Sequence, residues 1–177
     1  MVSNARRDAP AGRYLSRMGD LSEFSLKVQL FLRAYRWRRI DPVPWTPLKK
    51  PLSECRVALV SSAGFVLPGQ EPFDDKKRGG DSSFREIPGD AVVAALVDTH
   101  RSESFDHSGM RRDPNLALPI DRLRELTESG RIGQINQRHL SFMGSLTATG
   151  AFVRDTAPAA AKLLVEDSVN VALLVPV

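Results

Sequence analysis

The sequence predicts a three-layer α/β domain, a mostly parallel sheet with flanking helices, and three observations carry that prediction. Strand-like and helix-like segments alternate along the chain, the pattern of βαβ units. The strand-like segments, residues 56–62 (RVALVSS), 91–99 (AVVAALVDT) and 169–177 (VNVALLVPV), are continuous apolar runs. Such runs suit strands covered on both faces better than a period-two alternation would. A hydrophobic fraction of 42% in 177 residues supports one core and is too little for two.

The chain divides by composition. Residues 1–50 hold eleven Lys or Arg against four Asp or Glu, a balance of +7, so the total of +4 leaves −3 for the rest. This part reads as a basic N-terminal arm with a helix and a Pro-rich linker, and 51–177 as the α/β domain. In the arm, Leu21, Phe24, Val28, Phe31, Leu32 and Tyr35 share one helical face, predicting a helix over 21–39 with Asp20 or Ser22 as N-cap. Prolines 42, 44 and 47 then force an extended linker.

In the domain, 56–62 predicts a buried strand with Ser61-Ser62-Ala63-Gly64 as the turn after it, and 68–80 is loop. A short strand is expected at 83–87, and 91–99 is a second apolar run. Residues 98–118 read as a long polar loop. A helix opens at Pro119-Ile120-Asp121, with Leu123 and Leu126 in register and Gly130 at the C′ position. A strand is expected within 132–143 and an alanine-rich helix over 156–167, where Pro158 falls in the first turn. Residues 169–177, the most apolar stretch, read as a central strand.

Several function classes are excluded or disfavoured. No stretch approaches a membrane span and the first twenty residues lack a signal-peptide core, so the protein is expected in the cytoplasm. Cys55, the only cysteine, can form neither an internal disulfide nor a Cys-x-x-Cys pair. Walker A, G-x-G-x-x-G and G-x-S-x-G motifs are absent, and nothing in the pattern asks for a cofactor. His107 and His139 lack metal-ligand spacing, so no metal is expected. Residues 33–39 mix arginines with Tyr35 and Trp37, a pattern that can bind nucleic acid. The negative balance outside the arm favours a solvated helix face instead.

Ligands of open parallel sheets bind outside the carboxyl ends of strands. That rule points to Ser61 and Ser62, to the loop Thr99-His100-Arg101-Ser102-Glu103-Ser104-Phe105-Asp106-His107, and to whatever follows Val177. Arg101 suits a substrate carboxylate, and His100 and His107 suit proton transfer near neutral pH. Ser141-Phe142-Met143-Gly144-Ser145 is a further candidate active-site turn. The plainer alternatives are a tight strand exit at 61–64, a solvated polar loop at 99–107, and a chain reversal at 141–145.

Several blocks from Arg56 to Val177 resemble the selenoprotein B family of glycine, sarcosine and betaine reductases and its D-proline-type relatives. They are Val57-Ala58-Leu59-Val60-Ser61-Ser62-Ala63-Gly64, Asp81-Ser82-Ser83-Phe84-Arg85 and Thr99-His100. The densest is Asp113-Pro114-Asn115 with Pro119-Ile120-Asp121-Arg122-Leu123-Arg124-Glu125-Leu126 and Gly130-Arg131-Ile132-Gly133. The resemblance implies an oxidoreductase component that acts on a small substrate by reductive selenol or thiol chemistry, with other subunits of a reductase complex or a thiol reductant as partners. In that family a selenocysteine, closely followed by a cysteine, comes after the strand that 171–177 resembles. The expectation is therefore a domain incomplete at its C-terminus, cut at an in-frame UGA and inactive as it stands. The alternative is a non-catalytic partner subunit. His100 and His107 are the candidate catalytic residues, Ser61, Ser62, Thr99 and Arg101 the candidate substrate-binding ones, and Asp121 and Arg122 are structural. One departure bears on the substrate: Arg101-Ser102 stand where the amine reductases carry glycines after Thr-His.

Overall fold

The structure, a computed structural model, describes residues 22, 24–35, 39–102 and 107–177. The chain separates into two units, 1–46 and 47–177. In the first, helix α1 spans Leu26–Ala34 with Ser25 at its N-cap position and no buried residue. The expected helix was longer. Tyr35 leaves helical geometry at ψ 125° while its N–H closes the last turn on the Phe31 carbonyl. Leu21, Asp20 and residues 36–38 lie outside the described residues, and so does the core of the arginine–aromatic stretch.

The second unit is built on a mixed, mostly parallel sheet. Strand β1 is Arg56–Ser61, β2 Phe65–Val66, β3 Phe84–Pro88 and β4 Val97–Asp98. Strand β5 is Gln134–Ile135, β6 Arg138–Phe142 and β7 Val171–Val175. β1 is central. Val57 pairs with both Ile135 and Val171, and Val60 with both Leu140 and Leu174, so β5 and β6 share one edge of β1 and β7 takes the other. All three run parallel to β1, and β3 closes the far side antiparallel to β6. Asn136 and Gln137 interrupt what is otherwise one strand along β1.

Helices lie on both faces. α3, Ile120–Glu128, buries Ile120 and Leu123 against Val57, Leu59, Ile87 and Leu118. α4, Ala157–Glu166, packs Ala160 against Leu140 and Phe142 on the other face. α2 is a single turn, Ser108–Arg112, that contributes Met110 to the first core. Strand β3, α3 with Gly130 at φ 68°, and α4 with its early proline follow the sequence prediction.

The amino end of the sheet is locked by charge. Arg138 grips Asp167 with two bonds, Nε to Oδ2 at 2.7 Å and Nη2 to Oδ1 at 2.8 Å, and Asn136 adds a third at 2.8 Å. Arg56 reaches the Asp167 carbonyl at the end of α4. Cys55 is buried just before β1, with Sγ 3.3 Å from the Pro51 carbonyl.

Two expectations are corrected. Residues 91–99 do not form a strand of the main sheet. Val93–Ala95 is a 3-10 turn, and β4 pairs only with β2 in an antiparallel ribbon. At the start of the run, Arg124 Nη2 of α3 donates to the carbonyls of Gly89 and Ala91, which occupies acceptors that a ladder would use. Among the described residues β7 pairs with β1 alone, and Leu174 is 68% exposed. The supposed loop 98–118 is also more structured than expected. It holds α2 and the turn Pro114–Leu116, whose first residue follows the capping carboxylate of Asp113. No helix among the described residues is long and apolar enough to cross a membrane.

Candidate active site at the carboxyl ends of the strands

The turn after β1 is a junction. Ser62 N–H donates to the Val175 carbonyl and the Ser62 carbonyl accepts from Gly144 N–H. Val177 N–H donates to Ser62 Oγ at 2.8 Å. Gly64 N–H donates to the Phe142 carbonyl, and the Gly64 carbonyl accepts from the Thr99 amide and, at 2.6 Å, from Thr99 Oγ1. The ends of β1, β6 and β7 and the start of the 99–107 loop therefore meet within four residues. Ser61 is inside this junction rather than on its surface. It is buried, its Oγ donating to the Ala117 carbonyl and accepting from Ala63 N–H.

Glycine is required twice here. Gly64 sits at φ 67°, and a Cβ on it would lie 3.0 Å from His100 Cα. A Cβ on Gly144 would lie 2.9 Å from the Ser62 carbonyl oxygen and 3.2 Å from His100 Nε2. His100 is thus pressed between the exits of β1 and β6. The β2–β4 ribbon delivers it there, because Phe65 pairs with Asp98 two residues before it.

The two loop histidines are adjacent but unlike, with ring centroids 6.0 Å apart. Ser102 N–H donates to His100 Nδ1 at 3.1 Å. That bond requires a lone pair on Nδ1 and assigns the proton of the neutral ring to Nε2. Burial pushes the His100 pKa below the ordinary histidine value, and the His107 and Arg101 charges add to this against Asp98. His107 faces acceptors with both nitrogens, Nε2 toward the Ser102 carbonyl at 2.7 Å and Nδ1 toward Asp98 Oδ2 at 2.6 Å. The Ser102 carbonyl and then Asp98 hold its pKa above the ordinary value, which favours the imidazolium. Burial pushes the Asp98 carboxyl up, and bonds from His107, the His100 amide and Arg111 more than offset this, leaving it below its ordinary value.

Arg101 reaches over the same end of the sheet. Its guanidinium donates to the carbonyls of Lys77 at 3.0 Å and Ser145 at 2.9 Å, tying two loops together. Among the described residues, Arg101, Arg111 and His107 stand with Asp98 at this end of the sheet. On the α4 side, Ser62 and Pro176 border an open apolar groove of about 490 Å³ lined by Val60, Leu140, Phe142, Phe152 and Leu174.

The structure therefore brings together Ser62, Thr99, His100, Arg101 and His107. His139 stands apart in the sheet, its Nδ1 accepting from Leu59 N–H, and no group of three or more metal-ligating side chains occurs among the described residues. Asp121 belongs to a structural knot. Asn115 Oδ1 accepts from Asp121 N–H, Asn115 Nδ2 donates to Asp121 Oδ2, and Arg124 bonds Asp121 Oδ1. Arg122 makes an exposed pair with Glu125. Asp81 and Arg85 likewise organise a loop: Asp81 accepts from Asp74 N–H and Ser83, and Arg85 lies 4.4 Å over the Phe73 ring. Asp98 was missed; its signal was its place directly before Thr99-His100. Gly144 was read only as part of the possible active-site turn 141–145, with nothing to single it out from its neighbours.

The model of the family described as glycine/sarcosine/betaine reductase selenoprotein B matches residues 20–176. The chain is 36% identical over 136 residues to D-proline reductase subunit gamma of Acetoanaerobium sticklandii, covering 76% of this chain and 54% of the relative. It is 29% identical over 160 residues to sarcosine reductase complex component B subunit beta of Peptoclostridium acidaminophilum, covering 88% and 35%. With glycine reductase complex component B subunit gamma of Symbiobacterium thermophilum it shares 26% over 152 residues, covering 83% and 35%. The chain thus spans between a third and about half of the length of these relatives. No solved structure matches it significantly. With almost the whole chain matched and its most family-like blocks forming the junction, the loop of Asp81 and the knot of α3, the chain belongs to the glycine/sarcosine/betaine reductase selenoprotein B family.

Proposed function

We propose that the chain is the substrate-holding part of a reductase-complex component of this family, working by selenol or thiol chemistry on a small carboxylate-bearing substrate. The observation that supports this reading is the meeting of Ser62, His100, Gly144 and Val177 where three parallel strands end. In this reading the selenol or thiol stands next to the end of β7, beside Ser62. Cationic neighbours favour its anionic, nucleophilic form. His100, through Nε2, exchanges a proton with the reacting group. His107 and Arg101 attract the substrate carboxylate by charge, and Thr99, Ser61 and Ser62 shape the turn that receives it. Other subunits of the complex or a thiol reductant renew the reduced state, in the reducing cytoplasm.

The experiment has two parts. The DNA after codon 177 is read for an in-frame UGA followed by open frame with a cysteine codon within a few positions. The protein extended through that frame is then assayed, with its complex partners, for thiol-dependent reduction of D-proline, glycine, sarcosine and betaine. Turnover of at least one substrate is expected, falling by roughly 10²–10⁴-fold in His100→Ala if that ring is a general acid. Turnover of none would leave the chain as a non-catalytic subunit.

A further inference from the structure

One carboxylate touches both histidines of the loop. Asp98 Oδ1 accepts from the His100 amide at 3.0 Å, and Oδ2 lies 2.6 Å from His107 Nδ1 and 3.0 Å from Arg111 Nε. The Asp98 side chain is only 8% exposed, so its charge is costly unless compensated. A turn-forming aspartate needs only one oxygen and remains solvated. Here the second oxygen is committed to an imidazole whose other nitrogen is also committed, to the Ser102 carbonyl. The same Ser102 donates its N–H to His100 Nδ1, so the two rings are linked through one residue as well as through one carboxylate.

We propose that Asp98 is the positioning residue of this site, dividing its two oxygens so that His107 stands as a fixed cation while His100 is held neutral with Nε2–H toward Ser62 and Gly144. The inference rests on the reductase reading for its purpose, but its geometry is independent of it. Among the described residues, the charged and titratable groups acting on the pair are Asp98, Arg101 and Arg111, with each ring acting on the other. Dividing the roles this way gives an anionic substrate a standing positive charge and leaves a separate neutral donor near the strand ends. Two rings with equal freedom to titrate would exchange these roles as pH changed.

The chain contains three histidines, so ring nitrogens labelled with ¹⁵N can be followed individually through a pH titration of the 177-residue protein. In the wild type, His107 should keep both nitrogens protonated above the ordinary histidine range, and His100 should show the Nε2–H tautomer. Asp98→Asn keeps an acceptor for the His100 amide and removes the charge. It should lower the His107 pKa by about one unit or more, the usual size of a close carboxylate's effect. Arg111→Gln, on an exposed side chain, guards against misfolding of the first variant. It removes a cation opposing His107 and should raise that pKa. An unshifted His107 in folded Asp98→Asn, an unchanged or lowered one in Arg111→Gln, or a wild-type His100 protonated on Nδ1 would overturn the inference. The imidazole signals decide the role of Asp98, and turnover of the extended protein decides the reductase reading, so the two fail separately.

Discussion

Gly64 and Gly130 share almost the same backbone, φ 67° and φ 68°, but not the same surroundings. An added Cβ at Gly130 meets nothing within 4 Å, whereas at Gly64 it meets His100 Cα at 3.0 Å and His100 Cβ and N at 3.1 Å. Alanine at either position pays the left-handed penalty of roughly 1–2 kcal/mol. Only at Gly64 must main-chain atoms also move, an overpacking cost of roughly 1–3 kcal/mol. Gly130→Ala should therefore lose about 1–2 kcal/mol and Gly64→Ala about 2–5 kcal/mol. The gap between them measures how tightly the His100 backbone lies on the exit of β1. Urea unfolding of both variants, with unchanged m-values, reads the gap directly. The Tm difference should be roughly 3–6 °C per kcal/mol for a unit of this size. Equal losses at the two glycines would refute the close approach, and with it the placing of His100 between β1 and β6.

Three further outcomes follow from the packing. His139 is fully buried and its pKa is pushed down from 6.5 to about 4, chiefly by desolvation. The folded state therefore binds fewer protons than the unfolded chain between those values, so stability is complete above pH 6.5 and falls as pH drops toward 4, by about 3 kcal/mol in all. His139→Asn, which retains an acceptor for Leu59 N–H, should flatten that slope in denaturant titrations at successive pH values. Asp167 has its pKa lowered first by the Arg138 bonds. Its contribution should be present above the unfolded value of 3.8 and disappear as pH falls through the folded one, so Asp167→Asn and wild type should converge in stability at low pH. Leu174 is 68% exposed on the groove beside the outer edge of β7. The 177-residue protein should self-associate on sedimentation at rising concentration, and Leu174→Lys should reduce this while leaving the thermal melt in place; a monomeric wild type would contradict it.

Much of the scaffold was legible because its signals are local. The apolar run of β1, the three-residue spacing and C′ glycine of α3, and the alanine-rich α4 each carry their own evidence in consecutive residues. The run 91–99 misled because its contacts are distant in sequence: Arg124 takes the Gly89 and Ala91 carbonyls, and Val97–Asp98 pairs with Phe65–Val66. Apolarity in β7 signalled a strand, and the strand forms at Val171–Val175. Around the candidate site, the residue types in 99–107 drew attention to the loop. Their charge states were not legible, because they depend on which acceptors face each ring. Nor was the internal commitment of Ser61 or the loop-tying geometry of Arg101, both set by contacts with segments distant in sequence.

The central position of β1 has a consequence in time. Its partners come late: the Leu59 amide donates to the His139 ring, 80 positions on, and the Arg56 amide to the Asn170 side chain, 114 positions on. At a synthesis rate of about 5–20 residues per second, β1 emerges roughly 6–23 s before its last partner exists. During that interval Val57-Ala58-Leu59-Val60 is an apolar segment with both edges unpaired. Folding dominated by such distant pairings is also slow once the chain is complete. The yield of the protein in a cell should therefore depend on how quickly residues 134–175 follow β1 out of the ribosome.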